Sequence, residues 1–395
     1  MQPSETGIWH SSILNELAYF HVSDNYAVDI MHDIYEVVAP KEIKLVIGAL
    51  INQKLFTLEE LNRRILSYSY GYKYEENRPS PIFASSLNNP GGASGQTAAQ
   101  SVCLVKYLPL IIGDKVPQGC DCWEILLLLF DIFKIISATW ISSEGTIYLR
   151  NLVEEHYRLY LSKFSDQHLT PKQHFMTQYH RIIRQLGPLN QYSCMRFEGK
   201  HKSMKNYARL CNNFQNIAKT LPKKHQTNQS YKCLLKEPVG KLQCDLFDQS
   251  VVHIASLEAA EILVQELNIS LLSDVTITGR VVIKGCDFRV RSIIMLPPED
   301  VDNDALFSQI ISIVVEKKEV YVLVKDMETL YYERHYQAFA VNICSYHSIV
   351  FANTVIFWTS NLYMHLSHTK SRKHVFSFPA GVAASKVDCM AFISI

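Results

Sequence analysis

The hydrophobic period of this chain changes near residue 240, and that change limits its fold more than any other feature. Before it, apolar side chains recur at helical spacing, as in Val28, Met31, Ile34, Tyr35 and Val38, or Phe175, Tyr179, Ile182, Ile183 and Leu186. After it, short β-branched runs take over, among them Val275-Thr276-Ile277-Thr278 and Val281-Val282-Ile283. Two periods in separate blocks predict an α+β protein: a mainly helical N-terminal two-thirds followed by a small strand-rich domain. At 395 residues and 48% hydrophobic, the chain is long enough for more than one core. The expected divisions are a helical segment over 1–66, a loop or linker over 67–100 where Tyr, Asn, Pro, Gly and Ser accumulate, and a helical region over 101–240. A small β-rich domain over 250–366 and an irregular tail over 367–395 follow.

Local signals place the elements. Pro40 is expected to end a first helix and a second to run from about 41 to 53, while Thr57 with Glu60 reads as a capping box. Thr170-Pro171 is a helix start and Gly187-Pro188 its stop. Further helices are expected over 97–110, 123–141, 143–164, 192–212, 213–231 and 257–267, with Pro222 kinking or breaking the 213–231 helix. Gly279-Arg280 reads as a hairpin turn between two short strands, and Lys317-Lys318 as another. With strands over 288–295, 309–315, 320–325 and 336–341, the domain is expected to be a small barrel or sandwich. The stretch from Trp123 to Ile141 has the length of a membrane span. Glu124, Asp131 and Lys134 nevertheless share one edge of it, which predicts a buried core helix and no membrane partner.

Composition excludes several classes. The ten cysteines include no C-x-x-C pair, so neither a zinc knuckle nor a disulfide framework is spelled out, and a folded intracellular protein with reduced thiols is expected. Cys120 and Cys122 would be only half of a metal site. Met1 to Ser12 shows no signal-peptide pattern, and the glycine run from Asn89 to Gly95 lacks the G-K-[S/T] ending of a phosphate-binding loop.

Charge is distributed less evenly. The whole chain is balanced at 39 basic and 38 acidic residues, yet from Lys172 to Lys236 there are thirteen Lys or Arg and a single acid, Glu198. A one-sided segment of this kind suits a polyanion. Glu198, Lys202, Lys205 and Arg209 fall on one stripe of a helix. The plainest reading of Glu198 is a salt bridge to Lys202, worth a few tenths of a kcal/mol. The sharper reading is metal-assisted phosphoryl chemistry, which requires two or three acids around hard cations. Asp29, His32 and Asp33 form a second constellation on one helix face, able to bind a cation or to hydrogen-bond one another.

These residues stand in segments that resemble a known family. Leu17-Ala18-Tyr19-Phe20-His21 with Val28-Asp29-Ile30-Met31-His32-Asp33-Ile34-Tyr35-Glu36, then Pro171-Lys172-Gln173-His174-Phe175, then Gly187-Pro188-Leu189 through Met195-Arg196-Phe197-Glu198-Gly199-Lys200-His201, resemble transposon-encoded proteins of animals related to the CACTA (En/Spm-like) DDE transposases. The resemblance runs in order from about residue 8 to 232 and continues more weakly from Tyr321 to Val341. It implies an RNase H-like nuclease core in which two aspartates and a glutamate bind Mg²⁺, interrupted by a helical insertion. A D-x-x-H matches Asp29 and His32, and the final glutamate matches Glu198. Both catalytic aspartates should precede Asp29, where only Glu5, Glu16 and Asp24 are acidic. The resulting expectation is a truncated or domesticated transposase-derived protein that holds the insertion and the last helix. It would bind DNA through Arg196, Lys200, Lys202, Lys205, Arg209, Lys219, Lys223 and Lys224, be nuclear by resemblance alone, form an oligomer or not, and need Mg²⁺ only if a site were completed. The alternatives are an inert protein-interaction module and a Mg²⁺-dependent nuclease completed by acids of another chain.

Overall fold

A computed structural model of the chain describes residues 12–21, 24–89, 95–212, 214–234, 244–283, 286–296, 306–317, 319–351, 365–368 and 390–394. They fall into two units, one of Met1–Tyr68 with Glu76–Leu210 and the other of Ser69–Glu75 with Cys211–Ile395. The architecture is α+β: helices in the N-terminal part and an antiparallel sheet in the C-terminal part.

In the first unit, the helix that begins the site does not break at Pro40. Met31–Val38 (α1) winds as a π-helix, with the Ala39 amide reaching back five residues to the Ile34 carbonyl, and passes directly into Ala39–Asn52 (α2). Pro40 has no N–H to donate, and it sits where the π-helical pairing of α1 gives way to the α-helical pairing of α2. Leu58–Ser67 (α3) starts at the Thr57 hydroxyl, which accepts from the Glu60 amide at 3.1 Å. The Glu60 carboxylate turns instead to Lys115 and Arg64, so the box is half made.

The stretch expected to be a linker is ordered by side-chain amides. Asn62 donates to the Ile82 carbonyl and accepts from its amide, at 2.9 and 2.8 Å, and Gln96 brackets Ser80 in the same way. Each amide mimics a strand partner for a segment that has none. Gly71–Tyr74 (α4) and Ala84–Leu87 (α5) are short helices within it. Pro90 to Ser94 of the glycine run lie outside the described residues.

Ala98–Ile112 (α6), Asp121–Ile136 (α7) and Ser143–Lys163 (α8) follow, α7 packing against α2 and α8. Trp123, Ile125, Phe130, Ile132 and Ile136 on α7 are at most 2% exposed, so this is the core helix its one polar edge predicts. Among the described residues, no helix is long and apolar enough to cross a membrane. Pro171–Met176 (α9) carries a full capping box from Thr170 and Gln173, and Tyr179–Leu186 (α10) ends at Gly187, whose φ of 91° is open to glycine. Two helices thus replace the single one expected over this interval. Cys194–Cys211 (α11) completes the unit, which contains no strand among its described residues.

In the second unit, Ile217–Leu234 (α12) is one helix through Pro222 and buries no residue. The sheet begins with Cys244–His253 (β1), a polar strand that the alternation did not reveal. Asp274–Ile283 (β2) is one strand and not a hairpin. Its pairing with β1 runs from His253 opposite Asp274 to Cys244 opposite Ile283 in one unshifted register, interrupted only where Asp248, at φ 52°, stands across from Gly279. Cross-strand hydrogen bonds along its whole length outweigh the local turn preference of Gly279-Arg280.

Ala260–Leu267 (α13) precedes β2, and Cys286–Arg289 (β3), Ile293–Leu296 (β4), Leu306–Glu316 (β5), Glu319–Glu333 (β6) and Ala338–Phe351 (β7) follow it. His365–His368 (β8) and Met390–Ser394 (β9) pair with each other, and β9 with β7, so ladder pairing extends into the stretch expected to be an irregular tail. The strand order β1-β2-β5-β6-β7-β9-β8, with β3 on β2 and β4 on β5, makes one sheet where a barrel or sandwich was expected. Lys317, at φ 50°, turns β5 into β6, and Lys318 lies outside the described residues.

Neighbouring residues on β5 and β6 serve opposite cores. Ile313 and Val322 pack with Val281, Phe288 and Ile294, while Val314 and Leu323 pack with Val275, Ile254 and Leu263 of α13. Burial of both faces explains the unbroken apolar runs of these strands. The Ser69–Glu75 segment is tied to this unit by Tyr72, whose hydroxyl donates to the Asp287 carbonyl at 3.0 Å and whose ring lies 4.0 Å from the Arg289 guanidinium. Asp287 in turn holds both Arg280 and Arg289.

Candidate functional site

Asp29 joins the starts of two helices in the first unit. Its Oδ1 accepts from the Met31 amide at 3.2 Å, at the entry to α1, and from the Cys194 amide at 3.0 Å, the first residue of α11 and 165 positions away. Both amides belong to a first helical turn, which lacks intrahelical acceptors, so one carboxylate oxygen satisfies donors from two elements. Asp29 Oδ2 holds His32 Nδ1. Burial pushes the Asp29 carboxyl up, but hydrogen bonds from Cys194, His32 and Met31 outweigh it and hold it below the usual carboxylate value.

The other edge of the imidazole faces two more acids. His32 Nε2 lies 3.7 Å from Glu198 Oε1 on α11 and 4.0 Å from Glu36 Oε2 on α1. His32 is raised above 6.5, first by the Asp29 hydrogen bond and further by the charges of Asp29, Glu36 and Glu198, against the pull of burial. Glu198, with its side chain 50% exposed, meets His32; no Glu198–Lys202 ion pair forms among the described residues. Asp29, His32 and Glu198, singled out separately in the sequence, are therefore one cluster. A π-helix beginning at its edge is a feature often found at functional sites.

Asp33 is not part of this cluster. Its side chain is buried and binds Lys172 Nζ at 2.8 Å and the Tyr179 hydroxyl at 3.4 Å. Burial drives its carboxyl up and Lys172 opposes that drive. Deeper still, Glu42 and His156 are 0% exposed with Oε2 and Nε2 2.8 Å apart, and Gln173 donates to the other Glu42 oxygen at 2.8 Å. The Glu42–His156 contact is close but not an aligned hydrogen bond, which leaves both imidazole nitrogens without a hydrogen-bond partner.

Lys200, Lys202, Lys205 and Arg209 are exposed on α11, from half a turn beyond Glu198 onward. Lys219, Lys223 and Lys224 are exposed on α12, in the second unit. Arg196 lies in the first turn of α11.

Cys194 is the member that sequence reasoning missed. Read as one of several scattered thiols, it stands four residues before Glu198, on the same helix face, and that spacing was the available signal. Asp29, His32 and Cys194 offer an oxygen, a nitrogen and a sulfur within 4.8 Å of one another. Burial raises the Cys194 thiol, and its hydrogen bond to Asp29 raises it further. Cys120 and Cys122 join no such three-donor group among the described residues. A Mg²⁺ pair does not fit this donor set. Hard cations take oxygen ligands, and here a single carboxylate stands beside nitrogen and sulfur. Comparison with protein-family models, with curated proteins and with solved structures gives no match.

Proposed function

We propose that the chain is a transposase-derived protein related to the CACTA-type DDE transposases, which binds the DNA backbone through its basic helices and is not a nuclease by itself. One observation carries the reading. His32 of the D-x-x-H lies 3.7 Å from Glu198, so two motifs that the resemblance picks out in separate segments stand together, and exposed cations follow Glu198 on α11. In this reading α11 is the last helix of an RNase H-like core and the helices before it, with no strand among the described residues of the first unit, are the insertion. Glu198 faces the His32 imidazole at 3.7 Å, whereas a two-metal site needs two or three acids held around its ions.

Replacing Lys202, Lys205 and Arg209 together with alanine is expected to weaken DNA binding and to reduce the slope of log affinity against log salt by up to about 3. Fluorescence anisotropy over a salt series measures both, and an unchanged slope rejects the interface. DNA cleavage with Mg²⁺ or Mn²⁺ that is lost in Glu198→Gln would overturn the non-nuclease reading.

The exposed Phe214, Tyr231 and Leu234, on and just before α12, favour a second reading, a protein-interaction surface on the second unit. That reading gains if DNA is not retained at physiological ionic strength.

A further inference from the structure

The three unlike donors at the head of α11 are arranged for a different cation from the one the transposase resemblance implies. Asp29 supplies a carboxylate oxygen, His32 a ring nitrogen and Cys194 a thiol sulfur, all within 4.8 Å of one another and all half-buried. Tetrahedral zinc places its ligands about 2.0–2.3 Å from the ion, so donor atoms separated by a few ångströms can converge on one centre with little movement. Three protein ligands with a fourth position open is the pattern of reactive zinc sites, and a mixed O, N, S set suits a borderline d-block ion.

The surroundings are pre-organised for such an ion. Asp29 Oδ1 is held by two backbone amides, which fixes the carboxylate and ties the segment bearing His32 to the one bearing Cys194. His32 turns its Nδ1 toward Asp29 and its Nε2 toward Glu198 and Glu36. With the ion on Nδ1, those two carboxylates accept the Nε2 proton and orient the ring, as carboxylates commonly do behind metal-bound histidines.

We propose that Asp29, His32 and Cys194 bind one zinc ion, with Glu198 and Glu36 orienting the imidazole. The site stands on its own geometry and goes beyond the DNA reading. Chelator-treated full-length protein is titrated with Zn²⁺ and with Co²⁺ as a spectroscopic probe. One equivalent is expected to bind, and Co²⁺ should show a sulfur-to-metal charge-transfer band that Cys194→Ser abolishes. His32→Ala should weaken Zn²⁺ binding by at least about tenfold, while Cys233→Ser, at an exposed thiol, should leave the band and the affinity unchanged.

A charge-transfer band that persists in Cys194→Ser, or displacement of Zn²⁺ by equimolar Mg²⁺, overturns the site. If His32→Ala fails to fold, the Cys194→Ser spectrum decides. Protein that binds zinc here but not DNA keeps this site and loses the nucleic-acid reading, and the opposite result removes the site alone.

Discussion

Two carboxylate–histidine pairs of the first unit, Glu42–His156 and Asp29–His32, differ in their surroundings, and that difference gives them different roles. Glu42 and His156 are sealed at 0% exposure, with Gln173 on the remaining oxygen, so water and ligands have no access to them. Asp29 and His32 are 18% and 41% exposed, share their position with a thiol, and face two further carboxylates. A buried polar contact holds its neighbours in register, and removing one partner leaves the other buried without it. A half-exposed pair stabilises little, but it keeps an edge open for chemistry. The difference teaches that the pairing of residue types is not the signal for a site; the open edge and the extra donors are.

The comparison breaks most readily through stability. His156→Ala removes a fully buried ring from beside Glu42 and is expected to cost about 3–5 kcal/mol, whereas His32→Ala should cost no more than about 1 kcal/mol. Urea unfolding of the two variants measures this, and equal losses would make the Asp29–His32 pair a scaffold element like the other.

Lys172→Ala should fall between them, at about 1–3 kcal/mol, because it strands buried Asp33. The Asp33 carboxyl is already raised above 3.8 by burial, and it rises further without Lys172. A raised acid contributes stability below its unfolded value and loses it as pH rises through the folded one, so the variant's deficit should grow from acid toward neutral pH.

In chelator-treated protein, NMR titration should find His32 above 6.5, and Asp29→Asn should bring it back toward that value. The stability this histidine adds is present below 6.5 and is lost as pH rises through its higher folded value. A His32 that titrates at or below the ordinary value would remove the electrostatic half of the comparison. The smallest effect belongs to Glu198→Gln, expected to change unfolding stability by less than about 0.5 kcal/mol while lowering the His32 midpoint. A large loss of stability would place Glu198 with the buried pair.

Much of the helical part was legible because its signals are local. Thr170, Pro171, Gln173 and Gly187 bracket their helices by bonds and angles made within a few residues. Asp29 and His32, three apart on one face, were readable as partners for the same reason. The sheet was less legible. Gly279-Arg280 has the local chemistry of a turn, yet β1 holds it extended, and β1 itself is too polar to announce a strand. The 67–100 stretch has loop composition, and distant Asn62 orders part of it through paired hydrogen bonds to Ile82.

The candidate site divides in the same way. By itself the sequence determined several helix ends, as at Thr57, Thr170 and Gly187, the change of period near residue 240, the basic run and the D-x-x-H pair, because each depends on neighbours along the chain. Only the tertiary structure decided that Glu198 faces His32 in preference to Lys202, that Cys194 stands beside them, and that Asp33 and Glu42 are buried. The physical reason is the Asp29 carboxylate, which bonds helix-start amides 165 positions apart, and no spacing along the chain encodes that contact.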